Sequence, residues 1–138
     1  MLTKIINAQI ITMNEDKAIF KSGSLVYQDG FIIEVTADDS STVECDQIID
    51  AKHKVLLPGL VNTHTHTPMT LLRGYAEDYS LESWLQKVWP LEQNLTREEI
   101  ALGSELAIIE MLLNGVTSFS DLYIHMDAVA EKVAESGI

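Results

Sequence analysis

Apolar residues alternate loosely through KIINAQIITM, where Ile5, Ala8, Ile10 and Ile11 stand among polar neighbours, and this spacing predicts a strand. SLVYQDGFIIEV carries two β-rich runs on either side of Asp29-Gly30, a pair suited to the positive φ angles of a tight hairpin turn. QIIDA adds another short run, and Lys52-His53-Lys54 after it reads as a turn. VLLPGLVNTH follows. Pro58 cannot donate to a sheet ladder, so it marks a boundary between two strands or two sheets.

The pattern after Leu60 and Val61 is different. THTPMTLLRG reads as a polar, proline-broken loop, and beyond Gly74 the period becomes helical. In SLESWLQKVW, Ser80 is the predicted N-cap with Ser83 three residues on, and Leu81, Trp84, Leu85 and Val88 share one face. Pro90 is expected to stop this helix. Thr96-Arg97-Glu98-Glu99 is a capping box opening a long helix, and Gly115 is its stop signal. GVTSFSDLYIH predicts a short strand from Val116 to Ser120, and DAVAEKVAESG a helix ending at Gly137. Met111, Leu112 and Leu113 are expected in the core, Arg73 against a carboxylate, and Glu77 and Asp78 in water.

Strands followed by strand–helix–strand–helix predict an α/β fold, in which ligands bind at the carboxyl ends of the strands. His64 and His66 fall there, as does Asp121. Side chains alternate along a strand, so the two histidines point to one face. Two adjacent imidazoles are costly to bury without a partner, and a metal ion is the natural one. Asp121 either touches the site or is a solvated or N-capping aspartate. His125 is expected to solvate or cap the turn after the second strand, and His53 to be structural, since histidine tolerates positive φ. Trp84 fits the core, with a pocket wall as the alternative.

Composition narrows the classes. The chain has 138 residues, 46% of them hydrophobic, enough for one ordinary domain with its own core. A net charge of −12, from 9 basic and 21 acidic residues, argues against nucleic acid and anionic membranes as partners. Cys45 is the single cysteine, so an internal disulfide is impossible and a reducing, cytoplasmic setting fits. The N-terminal run is interrupted by Asn7 and Gln9 and does not read as a signal peptide.

PGLVNTHTHTPMTLLRG resembles the amidohydrolase superfamily, in which an HxH pair closes the first barrel strand. PMTLLRGYAEDYSLESWLQKVWPLE narrows the resemblance to the S-adenosylhomocysteine/5′-methylthioadenosine deaminase group and its chlorohydrolase-like relatives. The resemblance covers nearly the whole chain. It implies the start of a metal-dependent (β/α)8 TIM barrel preceded by a small β-sandwich domain, with residues 1–57 in the sandwich and 58–138 forming the first two βα units. It implies one divalent ion, usually zinc with iron as the alternative, held by His64 and His66. It also implies Glu92 gripping the ribose hydroxyls of a small-molecule nucleoside, and hydrolytic deamination of its adenine ring. A triazine chlorohydrolase or a guanine or cytosine deaminase is the alternative within the class. Relatives of this kind commonly form homo-oligomers.

A barrel of this type needs roughly 250 residues. The sequence ends where the third strand would begin, so the expectation is an N-terminal part of an enzyme whose catalytic residues and remaining ligands lie downstream of Ile138. Alone, it is expected to be inactive, with its metal site unfilled. A second expectation is a non-catalytic fragment that associates with a partner segment or itself through an unpaired sheet edge.

Overall fold

Asn7 interrupts the first strand at a positive φ of 61°, and the organisation of the first 58 residues follows from that break. In the computed structural model, which describes residues 1–38 and 40–138, the chain divides into two units, Met1–Pro58 and Gly59–Ile138. Strand β1 (Leu2–Ile11) is central to the first unit. It pairs antiparallel with β2 (Ile19–Gln28), which pairs antiparallel with β3 (Phe31–Ala37). On its other edge β1 takes two parallel partners. Thr3–Ile6 run beside β4 (Gln47–Asp50), and Gln9 and Ile10 beside β5 (Val55–Leu56). The ladder shifts between Ile5 and Ala8, so the Asn7 irregularity divides the edge between the two partners.

Asp29 and Gly30 turn the β2–β3 hairpin with φ of 50° and 82°, the two positive angles that the sequence predicts. Ala8, Ile10 and Ala51 form the buried cluster, with Ile5, Phe20 and Leu56 packed on it. Ser24 is also buried, and its hydroxyl pairs with that of Thr36 at 2.7 Å across the β2–β3 ladder.

The second unit is a parallel pair, β6 (Leu60–Thr65) and β7 (Val116–Asp121), joined by helices α1 (Leu81–Glu92) and α2 (Arg97–Leu113) and followed by α3 (Met126–Ser136). Gly59 opens β6 because nothing larger fits: a Cβ there would lie 1.8 Å from Thr117 Oγ1. Ile100, Ala128 and Val129 form the core between α2 and α3, with Leu95, Met126 and Val133 around them. The Thr96 capping box is formed in full, its hydroxyl accepting from Glu99 N and Glu99 accepting from Thr96 N.

Four local expectations are corrected. Thr67–Leu72 is a 3-10 helix with Pro68 near its start, where a missing N–H costs nothing. Pro90 lies inside α1 and does not end it. It stands in the last turn, where Gln93 N bonds Trp89 O at 3.0 Å and the Asn94 side chain bonds Pro90 O at 2.6 Å, carrying the helix past the missing donor. Leu81, the first residue of α1, is 70% exposed, so the packed face begins at Trp84. Leu112 and Leu113 are exposed, at 43% and 81%, and stand outside the core cluster that α2 and α3 build around Ile100, Ala128 and Val129. Among the described residues, no helix is long and apolar enough to cross a membrane.

Candidate metal and ligand site

His64 and His66 alternate with Thr65 at the carboxyl end of β6, and the strand period brings their rings together. The ring centroids are 5.1 Å apart, with planes at 76°. Two imidazoles bound at ~2.1 Å to one tetrahedral ion place their centroids about 5 Å apart, so the spacing fits two ligands of a single ion. His66 is fixed further. Its Nδ1 lies 2.5 Å from the Leu122 carbonyl oxygen, which can only accept, so the ring donates there and Nε2 carries the free lone pair. The chain after β7 thus selects the tautomer that suits a metal ligand.

Asp121 lies at the crossing of the two strand ends. One carboxylate oxygen accepts from the Thr67 backbone N–H at 3.2 Å and from the Thr67 hydroxyl, and the other from Leu122 N at 2.7 Å. Asp121 therefore ties the residue after His66 to the residue whose carbonyl holds the His66 ring. The Thr67 hydroxyl, its proton given to Asp121, also lies 3.1 Å from Ser104 Oγ, and Thr70 donates to Gly103 O at 2.7 Å; these contacts fasten the 3-10 helix to α2. Gly103 permits this approach, since a Cβ there would come within 2.6 Å of the Pro68 carbonyl. Arg73 pairs with both oxygens of Glu110, at 2.9 and 2.7 Å, as the sequence predicts, and this pairing holds the Glu110 carboxyl below its ordinary range.

Beside His66 is a cavity of ≈ 230 Å³. Leu85, Trp89 and Glu92 reach it from α1, recurring at i, i+4 and i+7 on one helical face. Trp84 and Met69 add apolar wall, and Tyr123 closes the side next to His66, its ring centroid 6.0 Å from the imidazole. Tyr123 donates its phenol proton to Glu92 Oε1 at 2.6 Å. Burial and the Glu92 carboxylate push the phenol well above the ordinary tyrosine range, so it stays a donor.

The structure thus brings Glu92 and His66 to one cavity. His125 caps α3 through its backbone, at φ 50° with no side-chain cap bond, and does not line that cavity. Trp84 serves as wall as well as packing. Tyr123 and Trp89 escaped the sequence reading. Trp89 was findable, three residues before Glu92 on the same helical face. Tyr123 acts through a contact 31 residues away in sequence, which periodicity does not reveal. Among the described residues, no group of three or more His, Cys, Asp or Glu is gathered to hold a metal, and the two histidines are fewer than the three protein ligands usual in catalytic zinc sites.

Residues 55–138 match the amidohydrolase family, and the chain belongs to it. It is 47% identical over 133 residues to a 5′-deoxyadenosine deaminase of Methanosarcina barkeri, covering 96% of this chain and 30% of that protein. It is 42% identical over 144 residues to a 5-methylthioadenosine/S-adenosylhomocysteine deaminase of Bacillus cereus, covering 100% of this chain and 33% of that protein. An adenosine deaminase of Xanthomonas campestris, solved with bound zinc, superposes with a TM-score of 0.90 at 32% identity, over 96% of this chain and 31% of its own. An atrazine chlorohydrolase of Arthrobacter aurescens shares the fold at a TM-score of 0.89 and 23% identity, over 99% of this chain and 34% of its own. The chain therefore spans about a third of the length of these relatives.

Proposed function

We propose that this chain contributes the first metal ligands and a substrate-binding carboxylate to a hydrolase that deaminates the adenine ring of a 5′-modified adenosine. S-Adenosylhomocysteine and 5′-methylthioadenosine are the substrates proposed. The observation that carries the reading is the pair His64–His66, spaced for one ion at 5.1 Å, with His66 held by Leu122 O in the tautomer that frees Nε2. The names of the relatives, each a deaminase of an adenosine derivative, support the substrate class.

In this reading β6 and β7 are the first two strands of a (β/α)8 barrel, and residues 1–57 belong to a small β-sandwich domain. The ion is zinc, with iron the alternative, and it supplies an acidified water as nucleophile at neutral pH. His64 and His66 hold it, with further ligands drawn from polypeptide outside these 138 residues. Glu92 accepts hydroxyl protons of the sugar, and the walls formed by Trp84, Trp89 and Met69 exclude water beside it. The protein works in a reducing, cytoplasmic setting, where Cys45 remains a thiol, and self-associates.

The test has two parts. In the whole enzyme to which this chain contributes, zinc is titrated while the imidazole 15N signals are followed, and ammonia release from both nucleosides is then assayed. Coordination through Nε2 of His66 with release of ammonia is expected. Metal binding without ammonia removes the substrate assignment, and failure of either histidine to respond to metal removes the hydrolase reading.

A further inference from the structure

Glu92 is half-buried, and its two carboxylate oxygens are in different situations. Oε1 accepts the Tyr123 phenol proton at 2.6 Å, while Oε2 receives no donor among the described residues. Glu92 lines the cavity beside His66, with Oε2 unclaimed among the described residues. Each carboxylate oxygen has two lone pairs. With one of the four engaged by Tyr123, an acceptor on Oε1 and the whole of Oε2 remain for a ligand. The indole rings of Trp84 and Trp89 stand on the same wall.

A carboxylate on a helix terminus has two rotatable bonds before its final torsion and does not hold one orientation unaided. Tyr123 supplies the restraint. Its own position is set twice: its ring lies against His66, and its neighbour Leu122 bonds the same imidazole. The loop after β7 therefore sets both the metal-ligand ring and the carboxylate from one short segment. We infer that Tyr123 is a positioning residue that holds the Glu92 carboxylate, so that the capture of sugar hydroxyls proposed above for Glu92 depends on the Tyr123 phenol. This rests on the nucleoside reading above for the sugar hydroxyls, whereas the positioning of Glu92 stands apart from it.

Trp84 and Trp89 are the two tryptophans of the chain, and both line the cavity, so intrinsic fluorescence reports occupancy directly. Adenosine and 2′,3′-dideoxyadenosine are titrated into the full chain and into Tyr123→Phe, Glu92→Gln and the double variant. The wild-type chain is expected to prefer adenosine. Tyr123→Phe, which keeps the ring against His66, is expected to weaken adenosine about tenfold and leave the dideoxy compound unchanged. The double variant is expected to be no worse than Glu92→Gln alone. A Tyr123→Phe chain that keeps the full preference overturns the inference.

A second reading needs no ligand. The Glu92 13Cδ resonance, assigned by its loss in Glu92→Gln, is expected to move in Tyr123→Phe while the melting curve does not. An unmoved resonance overturns the positioning role whatever the nucleosides do. If wild type shows no preference for adenosine, the hydroxyl capture and the nucleoside reading fail together at this site, and the Glu92 resonance still decides whether Tyr123 positions it.

Discussion

The turn at Ala51–Lys54 and the strand end at Asn62–Thr67 both follow a parallel-paired strand and both carry histidine, yet they use it differently. At the turn His53 supplies a backbone conformation, φ 66°, and the polar contacts around it run through other groups: Lys54 N to Ala51 O, and Asp50 taking Lys52 N and, from 43 residues away, the Asn7 amide. At the strand end the imidazoles themselves are arranged, one of them by a carbonyl 56 residues on in the sequence. His53 acts through its φ, with no ring hydrogen bond among the described residues. His66 is held through its ring by a distant carbonyl and keeps Nε2 unclaimed.

The largest test of this contrast is metal affinity. His66→Ala is expected to weaken zinc binding roughly 100-fold or more, while His53→Ala leaves it unchanged. Competition against a chelator reads both, and equal losses would erase the distinction. Next comes Asp121→Ala, which removes three hydrogen bonds to a half-buried carboxylate and is expected to cost about 3 kcal/mol in urea unfolding. Asp50→Ala at the exposed turn is expected to cost clearly less. Gly103→Ala drives a Cβ against the Pro68 carbonyl, two residues beyond His66, and is expected to cost about 2 kcal/mol. His53→Gly is expected to leave stability unchanged or raise it by about 0.5 kcal/mol, because glycine accepts the turn's positive φ more readily.

The smallest test is acid, and it reaches beyond these two regions to α2. The Asn7 amide holds Asp50 below its ordinary value, Arg73 does so for Glu110, and the Thr96 N–H does so for Glu99. A lowered folded pKa means that the unfolded chain takes up protons first as pH falls. These groups therefore stabilise the fold above the ordinary carboxylate range, and the contribution fades as pH drops through their lowered values. Thermal melts from pH 7 to pH 3 should decline, and Glu110→Gln should flatten part of that decline.

What was legible in the sequence was local chemistry. Asp29-Gly30, the Thr96–Glu99 capping box and the alternation of His64 with His66 each act within a few residues, so spacing alone exposes them. Pro90 misled because a proline in a final turn is rescued by bonds that skip it, from Gln93 and from the Asn94 side chain. Asp121 was visible as a strand-end carboxylate, but its role depends on Thr67, 54 positions earlier. Tyr123 gave no periodic signal, because the loop that carries it is irregular and its partner lies on α1.

The acceptor that orders His66 belongs to the main chain. Every amino acid at position 122 would present the same carbonyl, and the Leu122 side chain is 74% exposed. The instruction for the His66 ring is therefore shielded from point mutation at its own source. Descendant sequences are free to drift at 122 with the tautomer intact, and a saturation library there should return near-uniform metal affinity. Heritable change to that ring has to come through whatever moves the end of β7, with Asp121 first among such positions.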